Sequence, residues 1–186
     1  MPQLQSFING LLLNGLKRVE DAQLLFGSGT GNNLHGIYTQ ATAYSAPITI
    51  ASPTRVDTMR LAMLQAALAD VFATGHVLHM HDWTAIELLK DTTGAYLFTN
   101  PFSPNTPSLW GLPVAETNHA AMASKFLTGS FAEAAQIFDR EDANVVISTE
   151  NADDFEKNMI SVRCEERLAL AVYRPEAFVK GEFPAK

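Results

Sequence analysis

Asn158-Met-Ile-Ser-Val-Arg-Cys164-Glu165-Glu-Arg167-Leu-Ala-Leu-Ala-Val172-Tyr-Arg-Pro175-Glu-Ala-Phe178 carries the clearest pattern in the chain. Val162, Cys164, Glu166, Leu168, Leu170 and Val172 fall on one side, and Ser161, Arg163, Glu165 and Arg167 fall on the other. A period of two belongs to an extended strand, and long charged side chains on one face make it half-exposed. The pattern therefore predicts a strand over Ile160–Val172, ended by Pro175. Just upstream, Val145–Thr149 reads as a shorter strand, while Ala132–Phe138 has the composition of a helix.

The N-terminal segment changes period. Leu4, Phe7, Ile8, Leu11, Leu12, Val19 and Leu24 follow helical spacing, which predicts a long amphipathic helix over Leu4–Leu25 ahead of the glycine-rich turn Gly27–Asn33. Ile37–Tyr44 reads as a strand, and Pro47 and Pro53 punctuate the connector after it. Thr54 with Asp57 three residues on is a loose capping box for a helix over Arg55–Thr74, stopped before Gly75. His76–Met80 reads as a strand, Asp82 as the cap of a helix through Lys90, and Ala95–Thr99 as a strand after Thr92-Thr93-Gly94. Pro101, Pro104 and Pro107 mark a long loop, followed by strands over Leu112–Thr117 and Lys125–Phe131. The fold class is α+β, and no period of 20 to 50 residues signals a solenoid.

Composition sets wide bounds. At 186 residues, 47% hydrophobic and 18% charged, the chain can bury a real core as one domain or two intertwined lobes. A net charge of −7 leaves no basic stripe to neutralise phosphates, which argues against direct nucleic-acid binding. A single cysteine, Cys164, in an alternating apolar segment excludes an intrachain disulfide framework and points to a reducing compartment. Apolar runs fall short of a membrane span, and the N-terminus has neither a basic lead nor a small-residue cleavage site, so the chain reads as cytoplasmic in origin, with no membrane partner.

Three constellations hint at chemistry and each falls short. Gly27-Ser28-Gly29-Thr30-Gly31 resembles a phosphate cradle, but Asn32-Asn33 stand where a P-loop needs its lysine, and the glycines follow a helix rather than a strand. His76, His79 and His81 cluster around a strand, with His79 and His81 expected on one face, yet no further ligand stands at suitable spacing except Asp82, assigned to the helix start. They read as surface or interface histidines, with no metal and no cofactor. No Gly-x-Ser-x-Gly elbow occurs, and Ser28 between glycines does not make one.

Taken together, four blocks in fixed order resemble one family: Leu24-Leu-Phe-Gly27-Ser-Gly29-Thr30-Gly31-Asn-Asn-Leu34; Asp82-Trp83 with Leu88-Leu89-Lys90-Asp91; Leu109-Trp110-Gly111-Leu112-Pro113-Val114; and the Asn158–Phe178 run. The chain is similar to the tailed-phage major capsid proteins of the Hong Kong 97 type. The resemblance implies a peripheral domain from residues 1–50 and 142–172, carrying a spine helix and long strands. It implies an axial domain from residues 51–141 and 173–186, and it turns Ala132–Phe138 into strand. It also implies self-association into pentamers and hexamers of a virion shell, assembled in the bacterial cytoplasm, with the chain itself as partner and no small-molecule substrate. Family members begin with an extended arm, a lysine-bearing hairpin loop and the first part of the spine helix. This sequence opens inside that helix, so the chain is expected not to close shells by itself.

The same resemblance matches Asn158 to the acceptor asparagine and Glu165 to the assisting carboxylate of cross-linking shells. There a lysine amine from a neighbour attacks the carboxamide and ammonia leaves. Asn158 and Glu165 are then expected close enough to serve one incoming lysine on the outward face of the long strands. Two other classes remain open at this point: a bacterial nanocompartment shell of the same fold enclosing an enzyme, and a small metal- or nucleotide-dependent enzyme.

Overall fold

The computed structural model describes residues 2–97, 106–150 and 154–183. In chain order the elements are helix α1 (Pro2–Phe26), the single turn α2 (Ile37–Gln40), β1 (Thr42–Ala43), α3 (Arg55–Leu68), β2 (Gly75–His79), α4 (Met80–Glu87), β3 (Ser108–Leu109), β4 (Leu112–Thr117), β5 (Lys125–Gly129), β6 (Ala135–Ser148), β7 (Ser161–Val172) and β8 (Phe178–Glu182). They fall into two units, residues 1–36 with 137–171 and residues 37–136 with 172–186. Among the described residues no helix is long and apolar enough to cross a membrane.

The second unit is built on a six-stranded sheet in the order β1-β8-β5-β2-β4-β3. β8 and β2 both run antiparallel to β5, while β1 pairs β8 and β4 pairs β2 in parallel. α3 supplies Val56, Met59, Ala62 and Ala66 to a core shared with Leu78, Val114, Phe126 and Val179, and α4 adds Trp83 and Ile86. Phe126 lies at its centre, its ring 5.6 Å from Tyr44 and 5.2 Å from Phe183. The Thr54–Asp57 capping box is present at the start of α3. Its end differs from expectation. Asp70 adopts φ 57, and the Val71 and Asp70 amides donate to the Ala66 and Ala67 carbonyls, a left-handed cap that stops the helix at Leu68 well before Gly75.

Three other expectations are corrected. Ile37–Tyr44 is one helical turn and a two-residue strand, because Lys180 Nζ donates to the Tyr38 and Thr39 carbonyls at 3.0 and 2.9 Å and holds the turn closed. Asp82 does not cap α4; His79 does, its Nδ1 accepting from the His81 amide. Asp82 sits in the first turn, buried against Arg55 at 3.0 Å and accepting from the Ser124 amide at 2.7 Å. The strand expected over Ala95–Thr99 is an isolated bridge at Tyr96 within a turn that Asp91 organises, and residues 98–105 lie outside the described part.

Trp110 and Gly111 form the two-residue turn between β3 and β4, with φ 55 and 79. Both central residues of such a hairpin turn need positive φ, which a bulky side chain adopts only when held. Here Trp110 Nε1 donates to the Val56 carbonyl and the Arg60 guanidinium lies 5.8 Å above the ring, tying the hairpin to α3.

The first unit consists of α1 and the long two-stranded sheet of β6 and β7. The strand reading of Ala132–Phe138 holds from Ala135 onward, where β6 begins and runs unbroken to Ser148.

Candidate functional site

The glycine turn and the histidines each have a structural role in the fold. Gly27–Leu34 is a tight hairpin closing α1. A Cβ on Gly27 would stand 2.1 Å from the Leu34 carbonyl oxygen, so this glycine serves the close approach of two backbone segments. The Ser28 hydroxyl is engaged with Thr30 Oγ1 and Asn33 Nδ2. Of the three histidines, His79 ends β2 and His81 belongs to α4, so strand alternation does not align them. His76 is not at the surface: it lies on β2 inside the sheet, its Nδ1 2.9 Å from Thr128 Oγ1. Burial pushes its pKa down to about 4, the Leu109 backbone opposing this in smaller measure, so the ring is neutral at physiological pH. Among the described residues, no group of three His, Cys, Asp or Glu is placed to hold a metal ion.

The remaining candidate lies on the first unit. Alternation along β7 puts Arg163, Glu165 and Arg167 on one face and Glu166 on the other. Glu166 lines a cleft with Leu16, Val19, Glu20 and Gln23 of α1. Partial burial and then the charges of Glu166, Asp21 and Asp139 raise the Glu20 carboxyl above its ordinary range, with Lys17 opposing. Arg167 also lines this cleft, and Glu165 does not. Its side chain is 29% exposed and its carboxylate pairs with Arg163 at 2.9 Å, while Arg167 on the same face reaches Glu141 of β6 at 3.3 Å. Along the strand, Glu165 stands about 13 Å beyond Ser161.

Asn158 lies exposed in the turn before β7, at φ 53, with its amide donating to the Phe155 carbonyl. Asparagine tolerates this left-handed conformation better than most residues. The turn carries features that the sequence reading missed. Asp154 is buried and accepts a hydrogen bond from Ser161 Oγ, while Phe155, Met159 and Ile160 around Asn158 are exposed apolar side chains, Phe155 at 85%. An aspartate opening a turn was the available signal for the first.

Solved structures share this architecture. The capsid of an empty GTA particle aligns over 97% of this chain and 66% of its own, with TM-score 0.71 and 19% identity. Gordonia phage Cozz aligns over 99% and 64%, with TM-score 0.75 and 15% identity. A virus-like particle from Pyrococcus furiosus covers 88% and 62%, with TM-score 0.57 and 12% identity. At those identities the likeness is one of fold. A closer relative in sequence is the major capsid protein of Enterobacteria phage HK97, 46% identical over 182 residues, which are 98% of this chain and 47% of that protein. The chain thus spans about half the length of the curated relative it matches. The profile of the Phage capsid family matches residues 1–183, and the chain belongs to that family.

Proposed function

We propose that this chain is part of the major shell subunit of a tailed phage or prophage head, whose work is self-association rather than turnover. The observation that carries the reading is the 46% identity to a phage major capsid protein across 98% of the chain. In this reading, residues 1–36 with 137–171 are the peripheral lobe, and residues 37–136 with 172–186 the axial lobe that meets its copies around five-fold and six-fold centres. A contact between two different patches, repeated around an axis, closes into a ring, and rings of two sizes close a shell. An enzyme-enclosing compartment shell would have the same fold; the identity to a phage protein places the phage reading ahead of it. Electron microscopy of the protein expressed from its complete reading frame tests it: closed shells support it, and a protein that stays monomeric at millimolar concentration refutes it.

The cross-linking half-site belongs to the same proposal. A neighbour's lysine loses a proton to a carboxylate, its Nζ attacks Cγ of Asn158, the C–N bond forms, and the carboxamide nitrogen leaves as ammonia. Deprotonating an ordinary lysine at pH 7 costs about 4.6 kcal/mol, so a base and a dry setting are required. Glu165 is the base, and exposed Phe155, Met159 and Ile160 would supply the dry setting once a neighbour covers them. Glu165 stands about 13 Å along β7 from Ser161, so we take the carboxylate serving one copy's Asn158 to be that of an adjacent copy. Its ion pair with Arg163 must then open on assembly, which releases the carboxylate to accept a proton.

A further inference from the structure

The turn that presents Asn158 is fastened at both ends by one residue. Asp154 is only 5% exposed, its carboxylate accepts from Ser161 Oγ at the first position of β7, and its carbonyl accepts from the Met159 amide at 2.8 Å. A buried carboxylate is retained only where it has such partners. Between these two fastenings Asn158 holds φ 53, a sparsely populated conformation that persists when its surroundings over-determine it. The carboxamide is thus carried on a closed loop anchored to the strand, rather than on a free connector.

We propose that Asp154 is a positioning residue for the cross-link: its clasp on Ser161 fixes the turn and so fixes the direction from which an amine can reach Cγ of Asn158. This rests on the cross-linking reading above. Attack on an amide carbon needs the approaching nitrogen held within about 3–3.5 Å along one line, and a misplacement of about 1 Å can cost a hundredfold in rate. Asp154 touches neither reacting group, and it acts through the backbone of the turn. Substitution should therefore leave assembly intact and slow only the bond-forming step.

The test uses Asp154→Ala, Asp154→Asn and Ser161→Ala. In the isotope-labelled chain, the backbone HN–Hα coupling of Asn158 reports φ; it should keep its left-handed value in the parent and average toward extended values in Asp154→Ala. In shells assembled from the complete reading frame, Asp154→Ala should form the covalent ladder at least about tenfold more slowly while electron micrographs remain unchanged. Asp154→Asn, which keeps an oxygen that can accept from Ser161, should recover part of the rate, a rescue that general destabilisation would not give. Ser161→Ala should shift coupling and rate in the same direction as Asp154→Ala. Parent shells that ladder, with Asp154→Ala laddering at the parent rate or showing the parent coupling, would overturn the positioning role alone. Parent shells that never ladder would remove the cross-linking reading and this role with it.

Discussion

The two units solve the burial problem in opposite ways. The second encloses its core: Phe126, Phe178, Met59, Leu78, Ile86 and Leu127 are fully buried between a six-stranded sheet and its helices. The first has one helix and two strands, too few layers to cover what they carry. Leu4, Phe7, Leu11 and Val19 on α1, and Ile137, Phe138, Val146 and Val162 on the sheet, remain exposed. Exposed apolar side chains in that number fit an interaction face under the shell proposal. Under the shell proposal, neighbouring copies would complete the burial of the first unit, whereas the second encloses its own core.

Substitution separates the two directly. Phe126→Ala should cost about 3–5 kcal/mol in urea denaturation of the isolated chain, because it empties the centre of a closed core. Phe7→Ala, at a position 64% exposed, should stay within about 0.5 kcal/mol and act only on assembly. Equal effects on the isolated chain would dissolve the contrast. The next effect belongs to pH. His76 is neutral in the folded state with a pKa near 4 against 6.5 for an unfolded chain, so below pH 6.5 the unfolded state takes up the proton first. Stability should fall by about 3 kcal/mol between pH 6.5 and 4, and His76→Gln should flatten that slope.

Smaller changes probe the edges of each unit. Asp70→Gly should stabilise the second unit by about 0.5–1 kcal/mol in thermal denaturation, since glycine adopts φ 57 without strain. In the first unit, Glu20 has a raised pKa, so its ionised form opposes folding above that pKa and the penalty disappears as pH falls through it. Glu20→Gln should therefore stabilise at neutral pH, by no more than a few tenths of a kcal/mol at so solvent-screened a group. A destabilised Glu20→Gln would show that the carboxylate is held by an attraction rather than crowded by Glu166.

What was legible in the sequence follows the same division between local and tertiary causes. β7 announced itself by alternation and α3 by its capping box, because both signals are carried within a few residues. Ile37–Tyr44 misled because β-branched composition lost to Lys180, whose ammonium arrives from the far end of the chain. Asp82 looked like a cap because aspartate before a helix usually is one; its real partners, Arg55 and Ser124, are distant in sequence. His76 reads as a surface or interface residue because nothing local reveals that β2 lies between β5 and β4. At the candidate site, Asn158 and Glu165 stand as candidates through resemblance alone, whereas the turn-opening Asp154 gains its partner Ser161 only in the fold.

The most direct test of the central claim is electron microscopy with light scattering on the protein expressed from its complete reading frame. Uniform closed shells containing rings of five and six are expected, with assembly abolished or disordered when the exposed apolar residues Phe7, Phe138 and Ile160 are replaced together by serine. A parent protein that remains a monomer at millimolar concentration, or a triple variant that assembles as the parent does, would contradict the account.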